Sequence, residues 1–178
     1  MKSLLSKFSN KPIPAGFTIV ELMVALAIAA ILMGLALPAF NNFIDQRTMA
    51  SRANDFISAV NLARSEAINR GGPVSIQSVD AGDGANEWGV GYCIVVGTPG
   101  NCPNDPAVTL RVFSATDGAT MDAVGGLDGL GTLTFNGRGM MTLGAAGSIE
   151  LCVAGVNPGR EIAVNTIGRA SVLEFVCP

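Results

Sequence analysis

The sequence predicts an α+β protein: one long N-terminal helix, apolar in its first half and amphipathic in its second, followed by an antiparallel β head packed on the amphipathic half. Three observations predict it. Phe17 to Phe40 reads FTIVELMVALAIAAILMGLALPAF, apolar or small almost throughout, with Glu21 its only charged residue. From Phe40 to Ala67, apolar residues recur near a 3.6-residue period opposite a charged face. After Pro73 that period disappears, and short β-rich runs alternate with clusters of Gly, Pro, Asn and Asp.

The length of 178 residues suits one domain. Only 14% of residues are charged, against about 25% in typical soluble domains, and the mean hydropathy is +0.44. Some stretch is too apolar for a water-facing surface, which disfavours a purely cytosolic globule. The chain has no histidine, so imidazole-based triads and His-containing zinc sites are excluded and an enzyme is not the expectation. Lys2, Lys7 and Lys11 are the only lysines, and the net charge is −3. The body beyond them is therefore more acidic than that net value, which leaves room only for local basic patches.

At about 1.5 Å per residue, some twenty residues of the 17–40 run span the roughly 30 Å hydrocarbon core, so it reads as a membrane-spanning helix. The preceding lysines place its N-terminus in the cytoplasm and everything after Phe40 on the far side. A cleaved secretory signal is the competing reading, but the run is long for one and no clean A-x-A site closes it. Glu21 lies inside this segment, where a carboxylate costs about 2.5–3.5 kcal/mol on insertion scales, so a functional partner is expected for it. Ala25 with Ala29 and Ala30 with Gly34 permit close helix approach, though alanine suits any membrane helix.

Pro38 predicts a local break or kink. The helix then resumes as an amphipathic half over 41–72. Phe40, Phe43, Ile44, Ala50, Ala53, Phe56, Ile57, Val60, Ala63 and Ala67 form its apolar face, and Gly71-Gly72-Pro73 stops it. Predicted strands in the 73–178 head are 74–79, 88–96, 108–113, 133–135, 140–143, 149–153, 161–164 and 171–176. Asn136-Gly137 marks a hairpin turn, and 81–86 and 97–106 read as surface loops.

The four cysteines lie in the part placed outside the cytoplasm, where disulfides form. Three pairings are possible, and proximity favours Cys93 with Cys102 and Cys152 with Cys177. A zinc site of four thiolates is the metal alternative, but no C-x-x-C pair exists, and no metal or cofactor is expected. Gly125–Gly131 is glycine-rich without a P-loop pattern and reads as a flexible loop. Asp80 and Asp83 read as solvated loop acids.

Lys11-Pro12-Ile13-Pro14-Ala15-Gly16 followed by Phe17-Thr18-Ile19-Val20-Glu21 resembles the class III signal of type IV pilins and type II secretion pseudopilins. The resemblance implies a leader peptide of residues 1–16 and cleavage between Gly16 and Phe17 by a prepilin peptidase. It also implies N-methylation of Phe17, retention of the helix in the bacterial inner membrane, and a periplasmic head. In that picture Glu21 pairs with the amino terminus of Phe17 on a neighbouring subunit.

The head carries, in order, Ala63–Gly71, Trp88-Gly89-Val90-Gly91-Tyr92, Phe135-Asn136-Gly137-Arg138-Gly139, Ile162–Asn165 and Gly168-Arg169. Together these resemble the GspH/FimT family of minor pilins and pseudopilins. That family implies a long helix on a small two-sheet β head, other minor pilins and the major pilin (or pseudopilins) as partners, and no enzymatic activity. The implied role is filament initiation near a pilus tip, with a GspH-like part in type II secretion as the alternative.

DNA capture is the alternative of another class. DNA-binding FimT proteins share a Gly-Arg-x-Arg motif, matched here by Gly168-Arg169-Ala170-Ser171, so the second arginine is missing. Arg138, Arg160 and Arg169 form the candidate contact patch, with Glu150, Glu161 and Glu174 expected in the same region to cancel it.

Overall fold

A computed structural model describes residues 16–178 apart from 81–85, 99, 101, 104, 117, 144 and 145. The leader lysines, Pro12, Pro14 and Asp83 lie outside the described residues. The chain divides into two compact units at Phe40/Asn41, while a single helix, α1 (Ile19–Arg70), is continuous in secondary structure through position 38.

In the first unit Thr18 caps α1. Its hydroxyl oxygen accepts a hydrogen bond from the Glu21 N–H at 3.2 Å, and its carbonyl accepts one from Leu22 N–H at 3.1 Å, satisfying two of the donors that a helix start leaves free. The large apolar side chains that follow, from Ile19 to Met33, are exposed. Among the described residues no helix is long and apolar enough to cross a membrane. The apolar stretch with described side chains, Ile19–Gly34, is about 24 Å long at 1.5 Å per residue; in the sequence the apolar run goes on to Phe40.

In the second unit, the rest of α1 presents Met49, Ala53, Phe56, Val60, Ala63 and Ala67 to the core. Phe40, Phe43 and Ile44, expected on that face, are exposed. Arg47 instead lies over the Phe43 ring at 4.9 Å. The helix ends in a Schellman motif, with Gly72 N–H donating to Ala67 and Gly71 N–H to Ile68. Gly71 sits at φ 64°, a conformation costly for residues with a side chain.

Nine strands follow: β1 (Val74–Ser78), β2 (Tyr92–Val96), β3 (Thr109–Phe113), β4 (Ala119–Gly125), β5 (Thr132–Phe135), β6 (Met141–Leu143), β7 (Gly147–Val153), β8 (Val156–Val164) and β9 (Ala170–Phe175). They form two antiparallel sheets ordered β3-β2-β1-β5-β6 and β4-β7-β8-β9. Phe56 joins helix to sheet as the hub of an aromatic cluster, edge-on to Trp88 at 5.3 Å and to Tyr92 at 5.1 Å, with Phe113 stacked on Tyr92 at 4.6 Å. Burial pushes the Tyr92 hydroxyl's pKa well above its usual 10, so it stays neutral.

Three strand expectations change. Trp88 to Gly91 is a turn, because Gly91 N–H bonds back to the Trp88 carbonyl, and β2 starts only at Tyr92. Ala119–Gly125 is a strand although alanine, aspartate and glycine are poor strand formers; pairing with β7 along its whole length overrides the propensity. β8 begins five residues before Glu161 because Asn157-Pro158 lies where the β7–β8 register shifts, and a bulge tolerates proline. The glycine-rich segment 125–131 is pinned by Leu127, which is fully buried.

Candidate functional site

The first candidate is the head of α1. Gly16 and Phe17 precede the first helical residue, and Phe17 is 80% exposed. Glu21 is in the first turn, where a carboxylate favours the positive end of the helix dipole. It is exposed and makes no ion pair among the described residues. Thr18 is the residue that reading by hydropathy alone misses. Its signal is the Thr-x-x-Glu capping-box spacing to Glu21.

The second candidate is one corner of the head. Asn136–Gly139 and Asn165–Gly168 share the pattern Asn-x-x-Gly and fold alike. Each asparagine carbonyl accepts from the glycine N–H, at 2.8 and 2.9 Å, and each side-chain oxygen accepts from the residue after the glycine, Met140 at 3.2 Å and Arg169 at 2.9 Å. The hairpin expected at Asn136-Gly137 therefore exists, but its left-handed residue is Gly139, at φ 73°.

The two turns abut. A Cβ on Gly168 would come within 2.9 Å of the Gly139 carbonyl. Met141 N–H donates to the Thr166 carbonyl at 3.3 Å, and Arg64 Nε donates to the Gly139 carbonyl at 3.0 Å. On the other side a Cβ on Gly137 would meet the Gly71 backbone at 2.7 Å. Exposed Arg138 and Arg169 thus occupy neighbouring turns beside Arg64.

Arg160 does not join them. It lies on β8, paired in register with Glu174 of β9 and salt-bridged to it, about 16 Å along the strand from Asn165 at 3.3 Å per residue. Glu150 and Glu161 face each other across β7 and β8, and Glu161 is four residues back along β8 from the Asn165 turn. The acids expected to cancel the patch therefore lie along the strands, Glu150 and Glu161 on one face of the sheet and Glu174 on the other, and Glu66 of α1 is bonded to Arg70 at 2.8 Å.

Cys93 is bridged to Cys102, closing the loop after β2, and Cys152 to Cys177, tying the C-terminal strand to β7. No group of His, Cys, Asp and Glu among the described residues is arranged to hold a metal ion.

A family model described as type II transport protein GspH matches residues 52–168. The chain belongs to the GspH family. A second model, the prokaryotic N-terminal methylation motif, matches residues 14–37, spanning Gly16, Phe17 and Glu21. The motif fits a membrane-anchored pilin.

Among solved structures, the type IV minor pilin FimU of Pseudomonas aeruginosa (strain PAO1) is similar in two crystal forms. One is 24% identical, covers 74% of this chain and 92% of that chain, and has a TM-score of 0.57. The other is 22% identical, covers 70% and 91%, and has a TM-score of 0.54. The minor pseudopilin EpsH of the Vibrio cholerae Type 2 Secretion System is 15% identical over 70% of this chain and 95% of that one, with a TM-score of 0.48. The FimU likeness shows that the GspH-family head here has the type IV pilin-like fold, an N-terminal helix on two antiparallel sheets. The GspH match spans the corner turns up to Gly168 and stops before Arg169.

Proposed function

We propose that this GspH-family protein is a non-enzymatic minor pilin of a type IV pilus that assists filament initiation near the tip. The observation that carries the reading is the methylation motif at the head of an apolar helix, with Glu21 in its first turn, on a chain whose remainder is a GspH head. In this reading prepilin peptidase cuts between Gly16 and Phe17 and methylates the new N-terminus. The helix then holds the protein in the inner membrane as a single span, with the head periplasmic, until the other minor pilins and the major pilin take it up. Glu21 meets the charged amino terminus of Phe17 of a neighbouring subunit during uptake, offsetting two charges that would each be costly alone in an apolar filament core.

The family's description favours a second reading, a minor pseudopilin of a type II secretion system. Deleting the gene separates the two. Loss of surface pili with exoprotein secretion intact supports the first, and the reverse result replaces it with the second.

DNA capture is a third reading, favoured by the abutting turns that place Arg138 and Arg169 side by side without Arg160. Ser171, where a second arginine would stand, and the acidic balance of the chain weigh against tight binding.

A further inference from the structure

The second sheet has an edge that a short segment of chain closes with side chains instead of a strand. β4 is its outer strand, and pairing with β7 on one side leaves the Met121 and Ala123 backbone groups turned the other way. Residues Asn86–Trp88, in the turn before β2, meet them. Asn86 Oδ1 accepts from Met121 N–H at 2.8 Å, Glu87 Oε2 accepts from Ala123 N–H at 3.1 Å, and Trp88 N–H donates to the Met121 carbonyl at 3.1 Å. Ser78 Oγ of β1 donates to the Glu87 carbonyl, so the same segment is tied to the first sheet.

Glu87 is the unusual member. It is 4% exposed, and glutamate is almost never that buried without a charged partner. No arginine supplies one: the ion pairs among the described residues are Arg70 with Glu66 and Arg160 with Glu174. What stands beside it is a second acid. Asp122 precedes Ala123 in β4, and its side chain hydrogen-bonds that of Glu87. Two carboxyl groups make such a bond only with a proton between them. The groups around the pair are acidic too: Glu150 of β7 directly opposite Asp122, Asp128 in the turn after β4, and Glu161 of β8 beyond Glu150.

With the proton in place, Glu87 accepts from both Ala123 N–H and Asp122, and the segment is held at the strand. Without it, two negative charges face each other at hydrogen-bond range with Glu150 behind them, and moving the segment off the strand relieves the repulsion. We propose that Glu87 and Asp122 form a proton-operated clasp that holds Asn86–Trp88 on the edge of β4 and loosens as the shared proton leaves. The closed form binds the proton more tightly than the open one, so the clasp is closed at acid pH and loosens as pH rises. β4 has no proline, lysine or bulge of its own to guard that edge. Opening it therefore presents two N–H donors and a carbonyl to an extended chain. The inference stands independently of the filament reading.

Amide hydrogen exchange in the full chain, held in detergent micelles and corrected for the intrinsic effect of pH, tests the clasp. From acid to neutral pH, protection at Met121 and Ala123 N–H should fall together by about tenfold, the change that one pKa unit between the closed and open forms supplies. Ile76, in the middle of the first sheet, should keep its protection. Trp88 is the only tryptophan, and its fluorescence should change with the same midpoint. Asp122→Asn and Glu87→Gln each replace the shared proton by a permanent amide donor, so both should keep the clasp closed and flatten the pH dependence. Glu150→Gln leaves the pair intact and removes a facing charge, so it should move the midpoint to lower pH and keep the amplitude. The proposal is overturned if protection at Met121 and Ala123 does not change with pH, if it falls equally in Asp122→Asn and Glu87→Gln, or if Ile76 loses protection in step with them.

Discussion

The two halves of α1 differ both in composition and in what surrounds them: the first is apolar almost throughout, the second amphipathic. Between Ile19 and Met33 the large side chains are exposed, Ile19 at 80%, whereas Ala53, Phe56, Val60 and Ala63 are at 0%. The first half uses bulky Leu, Ile and Met; the second buries mostly alanine on one stripe and is charged elsewhere. Small residues let the sheet approach the helix closely, and one large ring, Phe56, fills the remaining space. The first half has no such partner among the described residues, and an exposed apolar surface of that extent calls for one. Side-chain size and the width of the apolar stripe, more than apolar content alone, distinguish the half that packs on the sheets.

The comparison breaks most visibly at Phe56. Phe56→Ala should cost about 3–5 kcal/mol and sharply lower the Tm of the head, because Trp88 and Tyr92 lose their common neighbour. Ile28→Ala, at an exposed position, should leave Tm unchanged. Equal effects in thermal denaturation would mean that the two halves share one environment. Removing the Cys152–Cys177 bridge by a double serine substitution should cost roughly 3 kcal/mol by loop-closure entropy, read as a lower denaturant midpoint under oxidising conditions and no difference once wild type is reduced. The change should be confined to the head.

Glu21 sharpens the other side. Glu21→Ala removes a charge costing about 2.5–3.5 kcal/mol to insert, so membrane insertion should hold or improve while incorporation into sheared filaments falls. Normal incorporation would remove the pairing role. Mass spectrometry of the mature N-terminus should find methylated Phe17; a start near Asn41 would instead return the segment to an ordinary secretory signal.

Much of this was legible in the sequence. Period and turn residues revealed the helix and most strands because Val, Ile and aromatic runs between glycines have few alternatives. β4 was hidden because Ala-Thr-Met-Asp-Ala has no local preference for a strand, and its pairing with β7 is a tertiary fact. The basic corner was half legible: Gly168-Arg169 was visible as a motif, but the adjacency of Arg138 depends on two turns 29 residues apart interlocking through glycines. Arg160 is expected beside them from the sequence, but its register on β8 pairs it with Glu174 of β9.

The corner makes a smaller, falsifiable prediction. With two exposed arginines that make no ion pair among the described residues and an acidic body, DNA affinity at physiological salt should be no better than the non-specific range of about 10⁻⁴–10⁻⁶ M. Ser171→Arg should tighten it by adding a phosphate contact, and steepen its salt dependence. Submicromolar binding by the unmodified protein, lost in Arg169→Ala, would promote DNA capture above the assembly role.

The smallest effect belongs to a carboxylate that the fold places among its own kind. Asp122 of β4 sits directly opposite Glu150 of β7, and the buried Glu87 accepts a hydrogen bond from the adjoining Ala123 N–H at 3.1 Å. Desolvation first, and then Glu87, Glu150 and Asp128, push the Asp122 carboxyl above the usual carboxylate range. The folded protein therefore binds this proton more tightly than the unfolded chain does. Its contribution is fully present below the unfolded carboxylate pKa and is lost as pH rises through the higher folded value. Asp122→Asn keeps a neutral side chain able to donate to Glu87 and removes the like-charge opposition, which in cross-strand pairs is worth about 0.2–1 kcal/mol. The variant's Tm should match wild type near pH 3 and exceed it slightly at neutral pH. A gap independent of pH would show that packing, rather than charge, separates the two proteins.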